Sequence, residues 1–344
     1  MTLLLNNMRY DLVAFQLTKE CSAACKICCG SYDQKLKGKI DLNAVQRFMD
    51  TVKNTESVLA KRIRIFSVTG GEPFLYPDDV LSIAKHSKDL NRMFTIATNA
   101  FWSTSYTDTL RILTKLKDNN NACGCILSVD SFHQECIPVE NIKIFLRVCK
   151  ILEIPVKIQS HVLKSTFAQT DEIIKSLGED KLQVEMLYGG AYPVGSAKKH
   201  FPPEDFYTKK LKSTVCQYQG YLHVSTNGQV QPCCSPCFGG IPFNVGNIYN
   251  DSLEDILTNI QNNALMRMII NEGFEKLIKE AREKFDLTFP DEFVDSCHLC
   301  NFMLSDGERY AYLLTKTECL SAQKEEIVSV IRNIAGSKLS SLLS

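Results

Sequence analysis

The sequence lacks a long apolar run, an excess of charge of either sign and a recognisable secretory signal. Lys plus Arg and Asp plus Glu number 39 each, so the composition indicates neither a nucleic-acid groove nor an anionic membrane partner. The apolar stretches fall short of the roughly 18 residues that cross a bilayer. The opening MTLLLNN is too short for a signal peptide. We therefore expect a cytoplasmic protein that binds neither nucleic acid nor membrane.

Cysteine is the residue that the sequence has in excess, with 15 copies. A cytosolic chain keeps its thiols reduced, so this pattern more often indicates metal binding or catalysis than disulfides. Isolated cysteines can also pack as small apolar side chains. We predict that structural role for Cys123, Cys125, Cys136 and Cys149, and we leave Cys319 unassigned.

Short apolar runs alternate with helix-like stretches over the first 200 residues. Candidate strands, rich in β-branched or aromatic residues, cover residues 12–17, 63–68, 94–97, 124–129, 156–160 and 182–187. The stretches between them, such as DLNAVQRFMDTVKNTESVLAK at 41–61, carry apolar residues at helical spacing. Strands that alternate with helices form parallel βα units. We therefore expect an α/β fold with a partial (β/α)6 TIM-like barrel.

The alternation stops at PVGSAKKHFPP, residues 193–203. We place a domain boundary near residue 200, with the partial barrel over 1–200 and a small α+β domain with C-terminal helices over 201–344. Because the first predicted strand begins near residue 12, we expect no separate N-terminal peptide-recognition domain. The stretch RYAYLLTKTECLSAQKEEIVSVIRNIAG near the C-terminus predicts helices that pack on the barrel, with dimerisation or peptide docking as alternatives.

Four polar loops follow the first four predicted strands. They read TKECSAACKICC, TGGEP, TNAFW and SVDSFHQ. In a parallel α/β barrel the chemistry lies at the carboxyl ends of the strands. We therefore expect these loops to meet on one rim.

The first of these loops carries Cys21, Cys25 and Cys28 in a C-x3-C-x2-C pattern. Three thiolates can hold three irons of a four-iron, four-sulfur cluster and leave the fourth iron open. A structural zinc takes four ligands, commonly as two CxxC pairs. Zinc and simple packing remain alternatives to the cluster. Cys29 is an extra thiol that we do not expect to be a ligand.

This spacing on a strand-to-helix loop resembles the radical S-adenosylmethionine (radical SAM) superfamily. The resemblance implies a [4Fe–4S] cluster whose open iron binds the amino and carboxylate groups of S-adenosylmethionine (AdoMet). Glu72 in GGEP would accept the ammonium group, and the ends of the third and fourth strands would bind the carboxylate and the ribose. Those polar residues could instead cap the next helices. The implied AdoMet contacts are Ile27, Gly70, Gly71, Glu72, Pro73, Thr98, Asn99, Ser128 and Asp130.

The second half of the chain holds four further cysteines in two pairs. Cys216 and Cys233 flank an Asn227-Gly228 turn that predicts a β-hairpin, and Cys297 and Cys300 form a CxxC. Four thiolates suit a structural zinc or an iron–sulfur cluster equally well. The pattern resembles the twitch form of the SPASM domain, which implies one auxiliary [4Fe–4S] cluster bound by these four cysteines.

Cys234 follows Cys233 in PCCSP, and a free thiol beside a substrate radical can donate a hydrogen atom. The order of TGGEPF, TNAFW, S-x-D-x-x-H, PVGSAK, G-x4-CCSP, NEGFEKL and FPDEF…C-x2-C is similar to radical peptide epimerases of the YydG type. That resemblance implies that a 5′-deoxyadenosyl radical abstracts a peptide Cα hydrogen and that Cys234 returns one to the opposite face. The product is a D-residue in a ribosomally made peptide. Cys234 could instead be a buried small residue or an alternate ligand.

Three other functions fit parts of this pattern. They are a maturase that forms thioether or carbon–carbon crosslinks in a peptide, a twitch-type dehydrogenase of a small alcohol, and a non-catalytic iron–sulfur or zinc module. The intact triplet together with GGEP argues against the last. The resemblance also implies an external one-electron donor of the flavodoxin or ferredoxin type.

Overall fold

The computed structural model describes residues 10–30, 32, 35–53, 60–181, 184–216, 220–235, 243–285 and 287–316. Their strands form one nine-stranded sheet in the order β6-β5-β4-β3-β2-β1-β7-β8-β9. The strands are β1 (Leu12–Thr18), β2 (Ile65–Gly70), β3 (Met93–Thr98), β4 (Cys123–Ser128), β5 (Val156–Val162), β6 (Glu185–Gly190), β7 (Tyr221–Val224), β8 (Gln229–Gln231) and β9 (Gly246–Asn247).

The first six strands are parallel, and each pairs with its neighbour in the sequence. Strand β1 lies inside the sheet and is buried along almost its whole length, as expected for a strand covered on both faces. The predicted α/β fold with six βα units is confirmed. Several strand boundaries differ from the prediction. Strand β6, for example, runs from Glu185 to Gly190, whereas the predicted strand covers residues 182–187. Residues 182 and 183 lie outside the described part of the chain.

Helices alternate with the first six strands along the chain and dominate the chain after the last strand. They are α1 (Leu42–Asp50), α2 (Pro77–Asp89), α3 (Tyr106–Asn119), α4 (Ser131–Gln134), α5 (Val139–Ile151), α6 (Phe167–Ser176), α7 (Gly195–His200), α8 (Leu253–Asn262), α9 (Ala264–Asn271), α10 (Glu275–Phe285), α11 (Ser296–Leu304) and α12 (Gly307–Thr315). Among the described residues no helix is long and apolar enough to cross a membrane.

Helix α1 is shorter than the stretch that carries its helical pattern. The Asp41 side chain accepts a hydrogen bond from the Asn43 amide at 2.9 Å and caps the first turn. Phe48 and Met49 are buried on the face of the helix that packs in the core. The helix ends at Asp50, and Thr51 is its C-cap. Part of the predicted stretch, residues 54–59, lies outside the described residues.

The predicted hairpin after residue 216 is confirmed, and it extends the sheet of the first half. Strand β7 pairs in parallel with β1, with Leu12 opposite Tyr221 and Phe15 opposite Val224. Strand β8 then pairs antiparallel with β7. The sheet is therefore continuous across residue 200, and the division into two domains there stays a prediction.

Three of the four cysteines with a predicted structural role are buried. Cys123, Cys125 and Cys149 lie in the main core. Cys136 is exposed, so the prediction of a packed core side chain is wrong there. It follows the short helix α4, in a turn where its amide donates to the His133 carbonyl at 3.1 Å. Cys319 and the rest of the predicted helical tail, residues 317–344, lie outside the described residues.

Candidate active site

The loop after β1 brings the cysteine triplet to the carboxyl edge of the sheet. The Cys28 amide donates to the Cys25 carbonyl at 3.0 Å, and the Ala23 amide donates to the Cys21 sulfur at 3.5 Å. Burial raises the pKa of Cys21 to about 12, and the nearby Glu72 and Cys28 add to the shift. The three thiols therefore lie close together on a partly buried loop.

The triplet lines a cavity of about 240 Å³ together with the ends of the neighbouring strands. The predicted residues that the structure brings to this cavity are Cys21, Cys25, Ile27, Cys28, Gly70, Gly71, Thr98, Asn99 and Ser128. Glu72, Pro73 and Asp130 do not line it. The rim expected from the parallel strand order is therefore present, and three of its predicted members lie behind the cavity wall.

The GGEP turn is attached directly to the triplet loop. The Gly71 amide donates to the Thr18 carbonyl at 2.8 Å, and the Glu72 amide donates to the Glu20 carbonyl at 2.9 Å. A Cβ on Gly71 would lie 2.0 Å from the Glu20 oxygen. A larger residue at 71 would therefore push the two loops apart.

Glu72 is fully buried and joins the turn to the end of β3. Its Oε1 accepts from the Phe74 amide at 3.0 Å and from the Thr98 hydroxyl at 2.8 Å, and its Oε2 accepts from the Asn99 amide at 2.8 Å. Burial raises the pKa of Glu72 to about 7. The structure thus shows Glu72 as an organiser of the wall, and its contact with the AdoMet ammonium group stays a prediction.

Asp130 is buried at the end of β4 and caps α4. Its Oδ1 accepts from the amides of Phe132 and His133 at 3.1 and 3.0 Å, and its Oδ2 accepts from the His161 amide at 3.2 Å. This is the capping role left open by the sequence. Asp130 therefore holds two strand ends in place from behind the cavity.

Two histidines that received no role from the sequence line the cavity. His133 Nδ1 lies 2.8 Å from Asp130 Oδ1. Burial alone would lower the pKa of His133, but the charge and hydrogen bond of Asp130 outweigh it and raise the pKa. Burial dominates at His161 and lowers its pKa. His133 is therefore the more readily protonated of the two.

A second, larger cavity adjoins the first. It measures about 750 Å³ and includes Cys234 in its wall. Four residues line both cavities, namely Cys29, Tyr32, Thr69 and Gly70. Burial raises the pKa of Cys234 to about 11, so its thiol stays protonated at neutral pH. The predicted hydrogen donor therefore lies next to the cofactor cavity.

Gln16 and Tyr32 are wall residues that the sequence analysis missed. Gln16 is a buried polar residue inside the apolar strand β1, and its side-chain amide donates to the Tyr32 hydroxyl. A buried glutamine in an apolar strand is unusual enough to serve as a signal of a site. Tyr32 follows the triplet without a recognisable motif, so no sequence pattern indicated it.

The four auxiliary cysteines come from three separate segments and meet in space. Cys233 follows β8, Cys297 and Cys300 lie in α11, and the Cys216 amide donates to the Ile269 carbonyl at 3.1 Å. Burial raises the pKa of Cys233, and the nearby thiols of Cys300 and Cys216 raise it further. The structure therefore brings together the set predicted from sequence.

The donor chemistry of both cysteine sites fits iron–sulfur clusters. Thiolates are the usual ligands of such clusters, and each thiolate binds a different iron. The Ser296 hydroxyl, beside Cys297, is buried and has no hydrogen-bond partner among the described residues. Across the same described ranges, no three His, Cys, Asp or Glu side chains converge on one point as ligands of a single ion would. The fit rests on the donor type and on the proximity of the thiols.

Comparison with known proteins agrees with both sites. The family model "Radical SAM superfamily" matches residues 15–185, which contain the triplet and all the residues that line its cavity except Ala191 and Tyr192. The chain belongs to the radical SAM superfamily. A second model, the SPASM iron–sulfur cluster-binding domain, matches residues 216–301, from the first auxiliary cysteine to one residue past the last. Its cofactors are therefore AdoMet, a [4Fe–4S] cluster and auxiliary iron–sulfur clusters. The assignment of the first cluster to the triplet stays a prediction.

A curated relative extends over most of the chain. YydG of Bacillus subtilis (strain 168), whose name refers to peptide biosynthesis, is 24% identical over 310 residues, which cover 87% of this chain and 94% of that protein.

Solved structures support the fold. "Native anSMEcpe with bound AdoMet" aligns with a TM-score of 0.51 and 12% identity, and it covers 94% of this chain and 100% of that one. The same protein with AdoMet and the Kp18Cys peptide gives a TM-score of 0.52 and 13% identity over 94% of this chain and 100% of that one. At these identities the likeness shows the fold alone.

Proposed function

We propose that this radical SAM protein is a peptide epimerase that converts an L-residue of a ribosomally made peptide to the D-form. The observation that carries the proposal is the position of Cys234, in the wall of a cavity that shares four residues with the cofactor cavity. The 24% identity to YydG, named for peptide biosynthesis, supports a peptide as substrate.

The lining of the larger cavity suits the main chain of a peptide. It carries amide and hydroxyl side chains, and its described residues include one lysine and no carboxylate. Amide side chains both donate and accept hydrogen bonds, as peptide groups do. Besides Tyr32 and Thr69, which also line the smaller cavity, the polar residues of this lining are Gln16, Lys19, His223, Ser225, Asn227, Gln229, Gln231 and Ser235.

These side chains come from two adjoining parts of the sheet. His223 and Gln231 are cross-strand partners in the hairpin, and His223 Nδ1 lies 3.0 Å from Gln231 Oε1. Gln16 lies on β1, which pairs with the hairpin strand β7. A peptide in the cavity would therefore rest on a rigid sheet surface, which favours precise placement of its α-carbon.

When bound, the cluster and AdoMet supply the removal of a hydrogen atom from the peptide α-carbon. Cys234 then gives its thiol hydrogen to the opposite face of that carbon. The S–H bond breaks as the new C–H bond forms, and the sulfur keeps one unpaired electron. The raised pKa of Cys234 keeps the thiol in the protonated form that this step needs. An external one-electron donor must supply the electron that restores the thiol.

The triplet, GGEP and the ends of β3 and β4 would hold the first cluster and AdoMet. Cys21, Cys25 and Cys28 would bind the cluster, and Thr98, Asn99 and Ser128 face the space that AdoMet would fill. Cys216, Cys233, Cys297 and Cys300 would bind one auxiliary cluster of the twitch type. These assignments rest on the shared cavity and on the donor chemistry.

The test first identifies a short open reading frame beside the gene and then assays the peptide that it encodes, anaerobically and in heavy water. Epimerisation adds one mass unit per modified residue and forms 5′-deoxyadenosine, whereas a crosslink removes two hydrogens. The Cys234→Ala variant should still cleave AdoMet and should make no D-residue. Cys136→Ala, which alters an exposed thiol, serves as the matched control. D-residue formation by Cys234→Ala at the wild-type rate would show that Cys234 is not the donor.

A further inference from the structure

Repeated turnover requires that the Cys234 thiol be restored after each hydrogen transfer. The sulfur radical left at Cys234 needs one electron and one proton to become a thiol again. This inference rests on the proposed function, and it concerns the route by which that electron and proton arrive. The wall between the two cavities contains the candidates.

Four residues line both cavities, and two of them can give up a hydrogen atom. Thr69 and Gly70 have no redox chemistry, whereas Tyr32 carries a phenol and Cys29 a thiol. A phenol O–H and a thiol S–H have similar homolytic strengths, so hydrogen transfer between them is close to balanced. Tyr32 and Cys29 are therefore the two candidates for a relay.

Tyr32 lies beside a predicted cluster ligand and in the walls of both cavities. Its amide donates to the sulfur of Cys28 at 3.4 Å, which places it against a ligand of the first cluster. Its phenol lies near Cys29, Cys28 and Cys234. Gln16 donates a hydrogen bond to the phenol oxygen and fixes its direction.

The backbone at Gly30 is shaped to the ring of Tyr32. A Cβ built on Gly30 would lie 2.1 Å from Cζ of Tyr32 and 2.3 Å from one of its ring carbons. These separations are far shorter than van der Waals contact, so alanine at position 30 would displace the ring. The position of the phenol therefore depends on a glycine two residues earlier.

We propose that Tyr32 is the relay that restores the Cys234 thiol. The phenol O–H bond breaks and a new S–H bond forms at Cys234, which leaves a tyrosyl radical. That radical takes one electron from the external one-electron donor and one proton from water, and the phenol is restored. The sum for each turnover is one electron and one proton delivered to Cys234.

The experiment compares the first turnover with later ones in Tyr32→Phe, using reconstituted full-length enzyme, AdoMet, excess reductant and a peptide that the wild type epimerises in the assay described above. Tyr32→Phe should form about one D-residue per enzyme at the wild-type rate and then stop, so that its turnover number falls at least tenfold. A spin trap should label Cys234 in the stalled variant, as peptide mass spectrometry would show. Gly30→Ala, which moves the phenol, should stall in the same way.

Two control variants separate the routes. Tyr76→Phe removes a phenol bonded to Glu20 that lines neither cavity, and it should turn over like the wild type. A stall in Cys29→Ser together with normal turnover in Tyr32→Phe would assign the relay to Cys29 and overturn the proposal. Failure of Tyr32→Phe to make even the first D-residue would overturn it as well. Absence of D-residues from the wild type would instead refute the epimerase function on which the relay depends.

Discussion

The two cysteine sites of this molecule are built in opposite ways. The triplet Cys21, Cys25 and Cys28 lies on one loop of eight positions, so local sequence alone brings its thiols together. The auxiliary set is assembled from the segments around residues 216, 233 and 297–300, which meet only in the folded chain. The first site should therefore depend little on tertiary stability, whereas the second should be coupled to it.

One contact connects the two sites. Tyr192 lines the cofactor cavity, and its hydroxyl donates to Asp295 Oδ2 at 2.5 Å. The other oxygen of Asp295 accepts from the Cys297 amide at 2.8 Å and caps α11. Cys25 and Cys297 also belong to one small apolar cluster. The two sites are therefore neighbours in the fold, although one is formed by a single loop and the other by three separate segments.

The largest effect should follow from Cys25→Ser. Loss of one thiolate should remove the first cluster, so AdoMet cleavage should fall at least about a thousandfold. Iron content should fall by about four per chain, and the melting temperature should change by less than about 4 °C. Anaerobic iron analysis, 5′-deoxyadenosine formation and calorimetry check these values. A large loss of stability would contradict the local construction of this site.

The reverse pattern should follow from Cys297→Ser. The auxiliary iron should be lost, and the free energy of unfolding should fall by more than about 3 kcal/mol, because metal binding at a site assembled by folding stabilises the fold. Cys149→Ser, a buried cysteine in the main core, provides the control. Full iron content with unchanged stability in Cys297→Ser would show that Cys297 is not a ligand.

The stability of the cofactor-cavity wall should depend on pH through His133, which lines the cavity. Its pKa is raised from 6.5, so the protonated ring stabilises the fold below that value, and this contribution is lost as pH rises through the raised pKa. His133→Gln should cost about 1–2 kcal/mol near pH 6 and less in alkaline solution. Urea unfolding across pH checks this. His86→Gln, which alters a partly exposed pair with Asp50, should cost less than about 1 kcal/mol.

The smallest expected effect is a difference in the free energy of unfolding between two tyrosine variants. Tyr10 is buried and donates to the Pro232 carbonyl at 3.0 Å, one residue before Cys233. Tyr10→Phe removes this buried hydrogen bond and should cost about 1–2 kcal/mol. Tyr76→Phe alters a more exposed bond to Glu20 near the triplet and should cost about 0.5 kcal/mol. Equal costs in urea unfolding would remove the expected contrast between the sites.

Much of this arrangement could be predicted because it is local in the sequence. The triplet, GGEP and the Asn227-Gly228 turn are each defined by residues a few positions apart. Parallel strand order then places Thr98, Asn99 and Ser128 on the rim with the triplet, as the structure shows. Motifs and the alternation of strands and helices therefore predict most of the residues that line the cofactor cavity.

The rest depends on contacts between distant segments. The pairing of β7 with β1 joins residues about 200 positions apart, and no pattern in the hairpin specifies that partner. Asp130 and Glu72 were expected to face AdoMet, but their carboxylates are bonded to backbone amides of neighbouring turns. Sequence spacing places a residue on a rim, whereas its side-chain direction follows from the donors that folding brings near it.

The most direct test of the account is electron paramagnetic resonance of two reduced variants, with and without AdoMet. A variant that lacks Cys216, Cys233, Cys297 and Cys300 keeps only the triplet cluster, and AdoMet should change its spectrum. A variant that lacks Cys21, Cys25 and Cys28 keeps only the auxiliary cluster, and its spectrum should not respond to AdoMet. A response of the auxiliary cluster, or zinc in place of iron at the triplet, would contradict the assignment of AdoMet to the open iron held by the first loop.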